Sequence, residues 1–511
     1  MSEQHSNKEI LSVLQSVEVV AVATSAGDRM RNRMMHYAVD EDFTIYLATM
    51  KDDPKTIQIT NCPSIALLIH EQGSEGDIND SQEVEIIGKA IIIRDERERQ
   101  KALEATALRS PVVKHLVEAG NAGVLDCIKV APQTVKFRVF REIIQGQPPT
   151  VIEFPENRAV ISDWELLKMK AKSWVLGLRL SFLTASIIPI FLGAAIAWAH
   201  KGALDWGYFL LTLIAGLALH AGTNLINDYF DHLSGNDEMN REFVRPFSGG
   251  SRVIQLGLLT PLEVLMGSLL FFTLGSLTGL YLVWTRGLFI LVLGAVALLS
   301  GVFYTRRPFN GASQGIGEAV VGLNFGILMV LGAYYVQVQD FSWAPVVAGI
   351  PLSLLIAAVL YVNEFPDYVA DKAVGKRTLV VRLGRKRAVV GYIVLLGATY
   401  FAILAGVIGG VLPLAALLGL STLPASLRAI QYARKHYASS FDLVPANGLT
   451  VVTHLATGLL LTLAYAWEGL GLQGIGYVAA LGVGFAGFII YMYWYVERQK
   501  DIFLGLRQAM R

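Results

Sequence analysis

Hydrophobic and polar positions divide this 511-residue chain into two unlike parts. In the first, up to about residue 170, no long apolar run occurs. Segments 17–24, 33–39, 43–49, 64–70, 84–93 and 134–140 are rich in β-branched and aromatic residues and bounded by Gly, Asp or Pro, which predicts six strands. Helical patterns at 96–108 and 112–119 interrupt them, and so many short strands in so short a stretch predict a barrel. From about Val175 onward, apolar runs recur that are long enough for a bilayer core of about 30 Å. Ten are predicted, at 177–199, 206–226, 262–284, 286–304, 316–337, 345–363, 388–409, 411–428, 449–467 and 474–495. Between the two parts, Gln145-Gly146-Gln147-Pro148-Pro149 and then Pro155 predict an extended connector. Residues 164–174, with Lys168, Lys170 and Lys172 between two tryptophans, predict an amphipathic approach to the bilayer surface. The expected division is therefore a domain at 1–145, a linker and juxtamembrane segment at 146–171, and a membrane domain at 172–511.

Composition sharpens this picture in few places. A hydrophobic share of 53% excludes a wholly soluble protein, and a net charge of +1 gives no footprint for nucleic acid. The two cysteines, Cys62 and Cys127, imply neither a disulfide nor a metal framework. The polar start, Met1-Ser2-Glu3-Gln4-His5, has no apolar signal core, so the first domain is expected in the cytoplasm. Loop charges agree: Arg241, Arg245 and Arg252, then Arg306 and Arg307, then the series from Lys372 to Arg387 all fall on one side of the predicted spans. By the positive-inside rule that side, with both termini, is cytoplasmic, in a multi-pass inner-membrane protein.

Two acidic clusters sit where predicted spans meet those basic loops. Asn227-Asp228-Tyr229-Phe230-Asp231 is followed by Asp237, and Asn363-Glu364-Phe365-Pro366-Asp367 is followed by Asp371 and Lys376-Arg377. Carboxylates at a membrane helix end are costly and point to function. Asn227 and Asp231 stand four apart and Asp228 and Asp231 three apart, so all project from one side of a helix end. Asn363, Asp367 and Asp371 repeat every four residues, although Pro366 is expected to bend or restart the helix. Facing each other, such clusters suit Mg2+ on a diphosphate, because hard cations take oxygen ligands and bridge to substrate phosphates.

The paired motifs Asn227-Asp228-x-x-Asp231 with Gly235-x-Asp237, and Asp367-x-x-x-Asp371 with Gly375-Lys376-Arg377-Thr378, resemble the UbiA superfamily of intramembrane aromatic prenyltransferases. The Tyr304–Pro308 stretch, the Gly315-Ile316-Gly317-Glu318 turn and the run from Pro189 to Ala195 match as well. The resemblance, over about residues 172–468, implies a bundle of nine core helices around a cavity open to lipid, to which this chain adds a tenth span. It implies that Asp228, Asp231, Asp367 and Asp371, supported by Asn227 and Asp237, hold Mg2+ on a prenyl diphosphate. Arg245, Arg252, Lys376 and Arg377 would then clamp the phosphates, or serve only as positive-inside anchors. Tyr229, Tyr304, Tyr361 and Phe365 would stabilise the allylic cation through their ring faces, or belong to the interfacial aromatic belt. Gly235-x-Asp237 and the run from Asp371 to Leu379 look more like the menaquinone branch, which prenylates dihydroxynaphthoate, than the hydroxybenzoate branch. Homogentisate-type or other quinone-precursor acceptors stay open, as does a membrane-anchored flavin-dependent quinone oxidoreductase.

In the first domain, Arg33-Met34-Met35-His36-Tyr37, Tyr46-Leu47-Ala48-Thr49, Lys55 and Asn61-Cys62-Pro63 resemble the split β-barrel of the pyridoxamine-phosphate-oxidase-like flavin-binding family. The resemblance implies an α+β barrel in which Arg33, Thr49 and Lys55 hold the FMN phosphate. Asp53 departs from the family's serine and would repel a phosphate. The alternative is a cofactor-free barrel used for docking or for homodimerisation.

Overall fold

A computed structural model describes residues 5–26, 29–51, 53–73, 78–154, 163–234, 250–256, 258–305 and 314–471, with scattered residues from 476 to 494. The chain falls into two compact units: residues 1–175 with 253–260, and residues 176–252 with 261–501.

The first unit is built on strands β1 (Val19–Ala26), β2 (Arg29–Val39), β3 (Ile45–Met50), β4 (Ser64–Glu71), β5 (Gln82–Ile92), β6 (Leu125–Val139) and β7 (Thr150–Glu153). Their order is β3-β2-β1-β4-β5-β6-β7, and an additional β3–β6 pairing closes six of them into the expected barrel. All pairings are antiparallel. Alternate residues point inward, so that Val20, Val22, Tyr37, Ile45, Leu67, Val84, Ile86, Val135 and Phe137 fill the interior. Helices α1 (Asn7–Ser16), α2 (Pro54–Asn61), α3 (Glu96–Ala107), α4 (Pro111–Glu118) and α5 (Phe140–Ile144) accompany the sheet, and α6 (Asp163–Leu178) follows in the chain. Of these, α1 adds Ile10, Val13 and Leu14 to the core.

Strand β6 begins nine residues before the predicted 134, because Pro132 argues against a strand interior. The structure absorbs that proline at an irregularity between Ile87 and Gly88. There a Cβ on Gly88 would lie 2.3 Å from the Ala131 carbonyl oxygen, so only glycine fits. The expected connector also contains β7, which pairs with β6.

The second unit is helical: α7 (Thr184–Lys201), α8 (Trp206–Ser234), α9 (Pro261–Arg286), α10 (Leu288–Thr305), α11 (Gly317–Val338), α12 (Trp343–Ala373), α13 (Leu379–Leu383), α14 (Arg385–Ile408), α15 (Leu414–His436) and α16 (Val444–Leu470). Among the described residues, eight helices are long and apolar enough to cross a membrane, and α10 supplies a shorter apolar stretch. Of the expected tenth span, 474–495, only scattered residues are described, and those are helical. The first span starts later than 177, since Arg179 adopts φ +50° and a 3-10 turn over Leu180–Leu183 separates α6 from α7.

Helices α12 and α16 form the centre of the bundle: 67% and 72% of their apolar windows are buried, against 17% for α9. One core cluster joins Ile188, Leu192 and Ile196 of α7 to Val330, Leu352, Leu461 and Tyr465. A second joins Leu355, Tyr361 and Phe365 of α12 to Tyr392, Ala429, Ala433 and Leu449. The face of α9 carrying Leu262, Met266, Leu270, Leu277 and Trp284 is exposed, as lipid contact requires.

Pro366 does not restart the helix, because α12 runs unbroken for 31 residues with Pro351 and Pro366 inside it. A proline at 366 deprives the Val362 carbonyl of its intrahelical donor. Asn447 of α16 replaces that donor, its Nδ2 lying 3.2 Å from Val362 O and 2.7 Å from Asn363 Oδ1. The helix is thus repaired from outside.

Candidate active site

The first acidic cluster occupies the last turns of α8. Asn227 Nδ2 donates to Asp231 Oδ2 at 2.9 Å, which confirms that the two share a helix face. Asp228 is only 2% exposed. Its carboxylate accepts from the Arg179 guanidinium and from the Ser251 hydroxyl, and Ser251 N–H donates to it at 3.4 Å. Asn224, one turn earlier, donates to the Leu178 carbonyl at 3.3 Å and ties α8 to the segment that carries Arg179.

The second cluster occupies the last turns of α12. Asp371 is buried, and Asp367 is half-buried one turn before it. Lys376 turns back to place its Nζ 3.6 Å from Asp371 Oδ1, while its backbone N–H donates to the Asp371 carbonyl at 2.8 Å. That return uses Gly375 at φ +78°, a conformation that favours glycine.

Other expected site residues are placed as follows. Arg252 stands next to Ser251 with φ +59°, and Arg377 is exposed near the end of the α12–α13 loop. Tyr229 lies edge-on to Phe230, with ring centroids 5.7 Å apart. Tyr361 and Phe365 make a similar T-shaped pair at 6.1 Å inside the packed core, and the Tyr361 hydroxyl fills the space left by Gly391. Asp237, Arg245 and the side chain of Tyr304 fall outside the described residues. Sequence reasoning missed the roles of Arg179 and Ser251, although a lone arginine in an apolar stretch is itself a functional signal.

The donor set fits a hard dication in kind, since both motifs offer carboxylate oxygens at buried helix ends. Among the described residues no three His, Cys, Asp or Glu side chains converge on one point.

In the barrel, the expected phosphate ligands are committed elsewhere. Arg33 Nη2 donates to Thr24 Oγ1 at 2.6 Å and to Gln58 Oε1 at 2.8 Å. Lys55 Nζ donates to Thr49 Oγ1 at 2.7 Å and to Asp53 Oδ2 at 3.0 Å. Asp53 also caps α2, accepting from Lys55 N–H at 3.0 Å, and acts electrostatically on Arg33. Burial pulls the Arg33 guanidinium below its ordinary value, with Asp53 opposing and Arg31 adding. Within the same unit, Gln58 Nε2 donates to the Leu256 carbonyl at 2.7 Å and Arg31 to that of Gln255. As arranged, these residues do not fit a flavin phosphate, because the Asp53 carboxylate already neutralises the lysine that would bind it. Both cysteines are free, and burial pushes the Cys127 thiol up to about 11, so it is no thiolate at neutral pH.

Among the described residues, two of the helices long and apolar enough to cross a membrane, α8 and α12, end in acidic motifs, which marks a multi-pass membrane protein. Residues 186–446 match the model of the UbiA prenyltransferase family, and the chain belongs to that family. It is 34% identical over 262 residues to a 1,4-dihydroxy-2-naphthoate octaprenyltransferase of Mycobacterium tuberculosis, covering 50% of this chain and 84% of the relative. It is 28% identical over 300 residues to a 2-carboxy-1,4-naphthoquinone phytyltransferase of Synechocystis, covering 59% and 95%. A UbiA prenyltransferase domain-containing protein 1 of Rattus norvegicus is 32% identical over 49% of this chain and 72% of its own length. The barrel is similar to the solved structure of a putative pyridoxamine 5'-phosphate oxidase from Listeria innocua (24% identity, 26% of this chain, 98% of that chain, TM-score 0.22). It is also similar to an FAD-binding protein from Mycobacterium smegmatis (18% identity, 27% and 98%, TM-score 0.22).

Proposed function

We propose that this enzyme transfers a polyprenyl group from a prenyl diphosphate to a dihydroxynaphthoate-type acceptor, at the cytoplasmic face of the membrane. The observation that carries the reading is a pair of acidic helix ends each held by a cation, Asp228 by Arg179 and Asp371 by Lys376. Two acidic helix ends with Lys376, Arg179, Arg252 and Arg377 around them suit a diphosphate and the cation that accompanies it. Mg2+, held by Asp228, Asp231, Asp367 and Asp371 with Asn227 in support, would supply neutralisation of the leaving diphosphate charge.

The chain's own groups do the rest. Lys376, Arg179 and Arg377 hold the phosphate oxygens so that the C–O bond breaks with its electron pair leaving on the diphosphate. Apolar helix walls keep water from the allylic cation until a ring carbon attacks it, after which that carbon loses its proton, or its carboxylate as carbon dioxide, and the ring regains aromaticity. The acceptors named for two of the relatives, a 1,4-dihydroxy-2-naphthoate and a 2-carboxy-1,4-naphthoquinone, favour this branch over hydroxybenzoate or homogentisate. Within this reading the barrel is a cofactor-free module that binds the 253–260 segment of its own chain. Supplying dihydroxynaphthoate and 4-hydroxybenzoate together to purified protein with Mg2+ and a long prenyl diphosphate should yield the prenylated naphthalene. Preferential prenylation of hydroxybenzoate would overturn the branch while leaving the enzyme class standing.

A further inference from the structure

Residues 253–260 lie on the chain between α8 and α9, yet they belong to the barrel unit rather than to the helical one. Val253, Ile254, Leu258 and Leu259 are buried. The Val253 carbonyl accepts from Leu258 N–H at 2.8 Å and from Leu259 N–H at 3.2 Å, which closes a turn with Gln255 and Leu256 at its crown. Two barrel side chains grip that crown at consecutive carbonyls. Arg31 of β2 donates to Gln255 O, and Gln58 Nε2 of α2 donates to Leu256 O at 2.7 Å. Gln58 is 2% exposed, and its other end is occupied. Its Oε1 accepts from Arg33 Nη2 at 2.8 Å and from the Thr24 hydroxyl at 3.2 Å. Those two donors fix which end of the amide faces the turn. The barrel's own packing therefore pre-sets the grip.

Directly ahead of the turn, the chain meets the first acidic motif. Ser251, itself buried, gives Asp228 both its hydroxyl and its backbone N–H. Only Arg252 separates Ser251 from Val253, and it stands at φ +59°. An arginine in that left-handed region is strained, and such conformations persist where the flanking chain is held on both sides. Here Ser251 is held on Asp228, and Val253 forms the base of the gripped turn. A loose connector between two helices would need neither the left-handed arginine nor the paired bonds to consecutive carbonyls.

We propose that the barrel is a built-in clamp on the loop of the first acidic motif, with Gln58 and Arg31 as positioning residues. By holding the turn they keep Ser251 on Asp228, and so keep that carboxylate aimed for the diphosphate and its cation. The inference rests on the prenyl-transfer reading and gives the barrel a task that needs no flavin. The coupling runs along the main chain through Arg252. A carboxylate released by Ser251 turns about its side-chain bonds, and a misplacement of about 1 Å costs as much as about 10²-fold in rate. Positioning of this kind acts on prenyl diphosphate and Mg2+ and leaves the aromatic acceptor untouched.

The test uses full-length protein in lipid nanodiscs. Gln58→Glu keeps the oxygen that Arg33 and Thr24 hold but sets a second oxygen against the Leu256 carbonyl, so it breaks the grip and spares the barrel. Arg31→Ala, at an exposed position, removes the other bond. Each should lower kcat/KM for prenyl diphosphate at least about tenfold and raise the Mg2+ needed for half-maximal rate, with the acceptor KM unchanged. Arg31→Lys, which can still donate to the Gln255 carbonyl, should recover most of the rate. Amide exchange at Ser251 should quicken in both damaging variants. Combined with Ser251→Ala, Gln58→Glu should lower the rate no further than the stronger single change, because both act through one contact. Unchanged transfer in Gln58→Glu and Arg31→Ala, additivity with Ser251→Ala, or an equal rise in acceptor KM would overturn the proposal. If wild-type protein transfers no prenyl group, the functional reading fails. Faster exchange at Ser251 in Gln58→Glu would then still uphold the clamp, and unchanged exchange would overturn it.

Discussion

Replacing Asn447 with leucine, which keeps the bulk and removes the amide, should loosen α12 at the turn before its aspartates. Two bonds are lost, at 3.2 Å to the Val362 carbonyl and 2.7 Å to Asn363 Oδ1, from a side chain only 1% exposed. Polar contacts between membrane helices are worth about 0.6 kcal/mol on average and up to about 1.7. A buried carbonyl left without a donor adds about 1–3 kcal/mol. The expected cost of Asn447→Leu is therefore roughly 2–4 kcal/mol. The carbonyl needs Asn447 only because residue 366 is a proline, so Pro366→Ala returns an N–H to the helix and should recover part of that cost. In a double-mutant cycle the two changes should couple by about 1 kcal/mol, above the 0.3–0.5 kcal/mol scatter of independent sites. Unfolding of the full-length protein in mixed micelles, titrated with a denaturing detergent, reads all four corners. Additive effects, or a cost for Asn447→Leu under about 0.5 kcal/mol, would refute the claim that Asn447 repairs the proline-broken ladder.

Asp231→Ala and Asp367→Ala should each lower prenyl transfer by at least about 10²-fold, the scale of losing one electrostatic contact to the transition state, as read by product formation in folded protein. Wild-type protein should be colourless and take up no added FMN, whereas Asp53→Ser, which frees Lys55 and Thr49, should gain measurable FMN binding by fluorescence quenching. Burial works against protonated His5, but its hydrogen bonds to Glu9 and Glu142 outweigh burial and raise its pKa above 6.5. Its stabilisation is thus complete below the unfolded value and is lost as pH rises through the folded one. Hydrogen-exchange protection of residues 140–153, corrected for the intrinsic rate, should fall across that window in wild type and not in His5→Ala.

Much of this architecture was legible in the residues. The strand pattern found the barrel because its inward positions alternate, and apolar run length found nearly every membrane helix. What escaped had physical causes. Strand β6 was cut short because Pro132 reads as a break, and only the facing Gly88 reveals the irregularity that accommodates it. Helix α2 was passed over although Asp53-Pro54 is a helix-start signal, because the same residues invited reading as a phosphate loop. The spacing of the aspartates was visible, whereas their partners were not. Arg179 and Ser251 reach Asp228 from distant parts of the chain, and Asn447 answers a proline more than eighty residues away.

The central claim is that both acidic motifs act on one diphosphate as its prenyl group moves to an aromatic ring. The most direct measurement supplies purified full-length protein with Mg2+, a radiolabelled prenyl diphosphate and dihydroxynaphthoate, and follows released diphosphate and prenylated product together. The account predicts one diphosphate per product, no release without Mg2+ or acceptor, and loss of both signals in Lys376→Ala. Diphosphate release without prenylated product, or full activity in Lys376→Ala, would contradict it.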